Sequence, residues 1–166
     1  MTHLLSGKTA LVTGAGAGIG AGIARRYAEE GAHVVVAELD EEAGRRVAEA
    51  IGGLFVPVDV ADRSSVEKAV AEAISTYGSI DILVNNAWGG GTTSRVETKT
   101  DEQLNRAFTM GYLGPFWAMR AAYVDMKTRG WGRMINMCSL NGVNAHIGTL
   151  EYNSVKEALR TLTRTA

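Results

Sequence analysis

Short apolar runs alternate with amphipathic stretches along this chain. Residues 9–12 predict a first strand. Residues 18–30 predict a helix with Ile19, Ile23 and Tyr27 on one stripe, ended by Gly31. Residues 33–38 predict a second strand. Its Val34-Val35-Val36 run predicts burial on both faces. A second helix follows over 41–51 and a short strand over 54–58. Ser64 with Glu67 three positions later has the pattern of a capping box. The helix it opens carries Val66, Val70 and Ile74 at spacing four, and Gly78 closes it. Residues 82–84 predict a fourth strand. Thr100 with Gln103 predicts another cap and a long helix running towards Thr128. Residues 133–137 predict a fifth strand. A last helix runs from Tyr152 towards the chain end.

This alternation predicts βαβ units, hence an α/β fold with a doubly wound parallel sheet and helices on both faces. Crossovers of this kind are right-handed. Residues 1–166 form one Rossmann-like domain in this reading, with no linker, repeat or low-complexity segment. A sheet that stops at a fifth strand leaves an edge and an apolar helix face uncovered. The expectation is therefore an incomplete domain, or one covered by a partner.

Composition narrows the classes. Of 166 residues, 46% are hydrophobic and 21% charged, as in ordinary globular proteins. A net charge of −1 gives no footprint for nucleic acid or a membrane surface. Neither a signal-peptide pattern in residues 1–7 nor a membrane-spanning run is found. The lone cysteine, Cys138, excludes an intramolecular disulfide and suits the reducing cytoplasm. It reads as a small buried hydrophobe. Three scattered histidines offer no metal-ligand spacing. His146 reads as an ordinary loop histidine, and Asn141 and Asn144 as residues at a pocket mouth. Trp117 and Trp131 read as packing residues.

Glycine is in excess, with 20 residues against two prolines. The first strand runs directly into Thr13-Gly14-Ala15-Gly16-Ala17-Gly18-Ile19-Gly20, and a helix follows. A tight turn and a close-lying diphosphate both require residues without side chains. A helix N-terminus then presents free N–H groups to the phosphates. A ligand-free glycine turn is the bland alternative. No Gly-Lys-Ser/Thr follows, which argues against a P-loop. Glu38 stands at the end of the second strand, twenty residues beyond Gly18. A carboxylate there accepts hydrogen bonds from ribose hydroxyls and repels a 2′-phosphate. NAD(H) is therefore expected over NADP(H).

Tyr152 and Lys156 stand four apart and share a helix face. Ser139 lies at the end of the fifth strand. Ligands of open parallel sheets bind beyond the carboxyl ends of the strands, so these three side chains can converge there. A phenol near an ammonium serves as an acid–base, with the lysine holding charge and the serine a substrate oxygen. Taken alone, a Tyr-x-x-x-Lys pair arises by chance on many helices.

Jointly, these residues resemble the short-chain dehydrogenase/reductase family. The resemblance runs from Lys8 to the end. It rests on the turn from Thr13 to Gly20, on Val58-Asp59-Val60, on Asn85-Asn86-Ala87, and on Ser139, Tyr152 and Lys156. It implies cofactor contacts at Gly14, Gly16, Gly18, Ile19, Gly20, Glu38, Asp59, Val60, Asn86, Ala87, Tyr152 and Lys156. Ser139, Tyr152 and Lys156 would be catalytic. It implies hydride transfer between NAD(H) and a secondary alcohol or ketone, in a homodimer or homotetramer. Reduction of a 3-oxoacyl thioester is an alternative within the family. A catalytically weak cofactor-binding partner or sensor is another. A methyltransferase on a similar sheet ranks last, since it has no use for the Tyr/Lys/Ser set.

Three departures stand out. Trp88 occupies the place of the last glycine of the family's Asn-Asn-Ala-Gly segment, and would either narrow the cleft or pack outward. Gly111 occupies the place of a catalytic asparagine. Pro115, four residues later, lacks the N–H that would bond the carbonyl of Gly111. That carbonyl is expected to remain free and to hold the relay water, unless the relay is lost. Third, family members continue beyond the length of this chain.

Overall fold

The computed structural model describes residues 3–89 and 91–166. Five parallel strands form one sheet: β1 (Thr9–Thr13), β2 (His33–Glu38), β3 (Leu54–Pro57), β4 (Ile82–Asn85) and β5 (Arg133–Asn136). Their order is β3-β2-β1-β4-β5. The chain therefore winds outward from β1 in one direction, then returns and continues past β4 in the other. Among the described residues, six α-helices connect or flank them: α1 (Gly18–Glu29), α2 (Glu41–Ile51), α3 (Arg63–Tyr77), α4 (Asp101–Phe108), α5 (Gly114–Arg129) and α6 (Leu150–Thr165). This is the doubly wound architecture expected. Among the described residues, no helix is long and apolar enough to cross a membrane.

The β-branched run in β2 explains the two-layered core. Val35 packs with Leu11, Val66, Val70 and Ala122 on one face. Val34 and Val36 pack with Val12, Ala24 and Val47 on the other. At the amino end of the sheet, buried Asp81 accepts from Thr9 N–H at 2.9 Å and pairs with Arg129 at 2.8 Å. This fixes β1, β4 and α5 in register.

Three local expectations are corrected. Ile19 is exposed rather than part of a buried stripe. Only Gly20, Ala21 and Ala24 of α1 are fully buried, because the first turn projects beyond the strand ends. The cap of α3 is Asp62, whose carboxylate accepts from Ser64 N–H at 2.8 Å. Glu67 instead pairs with Arg63 and Arg120. The long helix from Thr100 does open on a true capping box. However, a π-helical turn over Thr109–Leu113 breaks it into α4 and α5. Gly111 and Pro115 straddle that turn. Pro115 has no N–H to offer the carbonyls of Met110 or Gly111, so the α-helical ladder cannot run through.

β5 forms an open edge, with Ile135 39% exposed. A groove of about 620 Å³ runs beside it, lined by residues that include Phe116, Met119, Trp131, Met134 and Leu162.

Candidate active site

Because all strands run parallel, their carboxyl ends deliver one residue group each to a common rim. β1 delivers the glycine turn and β2 delivers Glu38. Asp59 and Val60 follow β3, Asn86 and Ala87 follow β4, and Ser139 follows β5. The winding reverses between β1 and β4, which opens a crevice at their ends.

The glycines are required by what surrounds them. Gly14 has φ of +64°, and a Cβ there would lie 2.8 Å from Ala87 Cα. A Cβ at Gly20 would lie 2.1 Å from the Gly14 carbonyl oxygen. Asn86 stitches the turn to β4, its Nδ2 donating to the carbonyls of Thr13 at 2.9 Å and Gly14 at 3.1 Å. Thr13 Oγ1 accepts from the N–H groups of Asn86 and Ala87. Asn86 and Ala87 thus shape the turn from beneath.

α1 begins without a side-chain cap and with no acidic residue in its first turn. Three of the other helices differ, whereas α5 and α6 also begin without a side-chain cap. Asp40 and Asp62 cap α2 and α3, and Thr100 caps α4. The N–H groups at the start of α1 therefore face the crevice without an internal acceptor, and the helix dipole adds positive potential. Glu38 Oε2 accepts from Gly16 N–H at 2.9 Å, which sets the carboxylate beside the turn. Asp59 is exposed, and its Oδ1 accepts from Ala61 N–H at 2.8 Å. The carbonyl of Val60 abuts Gly114, where a Cβ would approach it to 2.4 Å.

Across the crevice, Tyr152 and Lys156 occupy the first turns of α6. Lys156 is 5% exposed, and its Nζ donates to the Met137 carbonyl at 2.5 Å. That carbonyl lies just past β5, two residues before Ser139. Burial pushes the Lys156 ammonium below its ordinary range, partly offset by the Cys138 thiol nearby. Lys156 Nζ stands 5.7 Å from the Tyr152 ring centroid. Ser139 Oγ accepts from Asn141 N–H at 3.2 Å and caps a short 3₁₀ turn over Leu140–Gly142. That turn packs closely on α6: a Cβ at Gly142 would lie 2.9 Å from Glu157 N. The loop bearing Ser139 is therefore held against the helix bearing Tyr152.

Cys138 is exposed, not buried, because it follows the edge strand. Asn144 and His146 are exposed in the same loop, and the His146 carbonyl accepts from Thr149 and Asn153. Trp117 and Trp131 are partly buried against the two core clusters. No cluster of metal ligands occurs among the described residues.

One pair had no visible sequence signal. Lys99 and Glu151 are 52 positions apart, with side chains 2% and 3% exposed. Lys99 Nζ lies 2.8 Å from both Glu151 oxygens. Burial raises the Glu151 carboxyl, but the Lys99 ammonium holds it below its ordinary range on balance. Glu151 directly precedes Tyr152, so this pair ties the segment after β4 to the start of α6. A cleft of about 150 Å³ lies there, lined by Trp88, Gly91, Thr92, Thr93, Thr149, Glu151 and Tyr152.

Comparison with known proteins agrees with this geometry. An uncharacterized oxidoreductase of Thermotoga maritima is 40% identical over 165 residues, covering 96% of this chain and 64% of the relative. A sorbitol dehydrogenase of Cereibacter sphaeroides is 39% identical over 165 residues, covering 98% and 64%. A crystal structure described as ribose-5-phosphate isomerase from Brucella melitensis 16M superposes with a TM-score of 0.94. It is 32% identical, and the match covers 99% of this chain and 64% of that one. The chain thus spans a little under two thirds of these proteins. The family model for short chain dehydrogenase matches residues 8–166, and the chain belongs to that family.

Proposed function

We propose that this chain carries the cofactor-binding and acid–base part of an oxidoreductase that moves a hydride between NAD(H) and a secondary alcohol or its ketone. The carrying observation is the uncapped start of α1, which adjoins a glycine turn moulded on Ala87 and Glu38. These residues suit a dinucleotide diphosphate and ribose. Gly14, Gly16, Gly18, Ile19 and Gly20 would flank the diphosphate, and Glu38 the adenosine ribose. Asp59 and Val60 would lie by the adenine, and Asn86 and Ala87 nearer the nicotinamide. When bound, the nicotinamide accepts or gives the hydride.

The chain's own residues do the rest. Tyr152 passes a proton to or from the substrate oxygen. Lys156, held by the Met137 carbonyl, supplies positive charge to the phenol and a donor to a ribose hydroxyl. Ser139 donates to the substrate oxygen. The Gly111 carbonyl, which Pro115 cannot bond, is an acceptor for a relay water.

The likeness to sorbitol dehydrogenase favours an alcohol over an acyl thioester as substrate. The outward side chains of α5, Tyr123 at 55% and Val124 at 68% exposed, offer apolar area for a homo-oligomer. A single cysteine suits a cytoplasmic setting.

The test is absorbance at the nicotinamide band with NAD and a panel of polyols and ring-bearing secondary alcohols. Turnover with NAD that Tyr152→Phe abolishes supports the reading. Isomerisation of ribose 5-phosphate without change at that band overturns it.

A further inference from the structure

Trp88 follows the Asn85-Asn86-Ala87 segment, and its indole turns inward to the crevice. It meets the Tyr152 ring edge-on, with centroids 5.1 Å apart and planes at 68°. Lys156 Nζ stands 5.5 Å from the indole centroid. Gly111 lies against the six-membered ring of the indole. A Cβ there would lie 2.7 Å from Trp88 Cζ3, 3.2 Å from Cε3 and 2.4 Å from Val155 Cγ1. The indole therefore fits only because position 111 carries no side chain.

We propose that Trp88 is a positioning residue, whose indole, seated on the bare backbone of Gly111, holds the Tyr152 ring and the Lys156 ammonium in register. The inference rests on the acid–base reading of that pair. An edge-to-face contact restricts the phenol to the crevice. The indole face attracts the ammonium, because its quadrupole presents negative charge there. That attraction counts for more at Lys156 than on a surface. The lysine is buried and its acceptor, the Met137 carbonyl, is neutral. The titratable groups facing it are Tyr152 on its own helix and Cys138 past β5. Two oddities of the sequence thereby become one device: the ring at 88 needs the gap at 111.

The test follows Lys156 directly by NMR, in protein made with ¹³C-lysine and with Lys156→Arg to assign the signal. In the unmodified protein, the Lys156 side-chain protons are expected upfield of the other lysines, through the indole ring current. Trp88→Met keeps volume but loses the aromatic face. It should lower the Lys156 pKa by about half a unit or more. Trp88→Phe, which keeps a ring face, should shift it less. With NAD and an alcohol, Trp88→Met should lower kcat about tenfold while KM for NAD holds. An unshifted Lys156 signal overturns the inference without any variant. A pKa unchanged or raised in folded Trp88→Met overturns it as well. If wild-type protein transfers no hydride but Lys156 responds as described, the oxidoreductase reading fails and the contact stands. If wild-type protein turns over but Lys156 is indifferent to Trp88, this inference alone fails.

Discussion

The main-chain N–H of Gly16 donates to Glu38 Oε2 at 2.9 Å, and a Cβ on Gly16 would lie 2.8 Å from Glu38 Cγ. The turn and the carboxylate are thus built against each other. Glu38 Oε1 accepts from the N–H groups of Leu39 and Asp40. A carboxylate has about four lone-pair positions, so Oε2 keeps one open, which in the proposed function a ribose hydroxyl fills. The carboxylate's orientation is set before any nucleotide arrives.

Cofactor choice should follow from that arrangement. Glu38→Ala removes an acceptor for a ribose hydroxyl and the negative charge that opposes a 2′-phosphate. Fluorescence titration should show NADH binding about tenfold or more weaker, with NADPH gaining relative to NADH. An unchanged ratio of the two affinities would remove Glu38 from the site.

Gly14→Ala should abolish nucleotide binding. The backbone sits at φ +64°, and the new methyl would meet Ala87 Cα at 2.8 Å. Neither partner is a flexible side-chain end, so turn and strand end must part. A stability loss of about 1–3 kcal/mol in urea is expected. Gly7→Ala is the control, since it shares a positive φ but nothing lies within 4 Å of the added methyl. Binding retained in Gly14→Ala would contradict the moulded turn.

Much of this fold could be read along the chain because its cues are local. Val34-Val35-Val36 announced a strand buried on both faces, and Thr100 with Gln103 announced a cap. Where two local acceptors compete, the sequence alone does not choose between them. Asp62 and Ser64 are both good caps, and only backbone geometry selects Asp62. Gly111 and Pro115 announced a break, but not that it would be a π-helical turn. The direction of Trp88 was undecidable, because it depends on a gap on another element. Lys99 and Glu151 were invisible for the same reason, since nothing in either neighbourhood specifies the other. Cys138 misled because its burial depends on what lies beyond β5.

The buried Lys99–Glu151 pair should be stabilising at neutral pH. Lys99→Met leaves the Glu151 carboxylate buried without its counter-charge, at a cost of about 3–5 kcal/mol. Exchanging both, as Lys99→Met with Glu151→Leu, should recover most of that loss. The pair also fixes an acid limb. The folded-state pKa of Glu151 is below its ordinary 4.5. Its contribution is therefore fully present above that value and is lost as pH falls through the folded one. Urea melts from pH 7 down to pH 3 should show wild type converging on Lys99→Met. Parallel curves would mean the pair carries no net stabilisation.

The break between α4 and α5 should matter to turnover more than to folding. Gly114 N–H reaches back to the Thr109 carbonyl across the π-helical turn, while Pro115 offers nothing to Met110 or Gly111. Pro115→Ala restores one N–H, and with it the option of bonding the Gly111 carbonyl as in a regular α-helix. A carbonyl so occupied would be closed to the proposed relay water. Closing the extra residue into the ladder would also rotate Gly111 relative to Trp88. Turnover should fall about tenfold, with nucleotide affinity changing less, because the N–H groups at the start of α1 are untouched by the substitution. The solvent isotope effect should grow as the relay weakens. Equal turnover in Pro115→Ala and wild type would show that the Gly111 carbonyl has no part in the proton path, and the π-helical turn would then serve only to seat the indole.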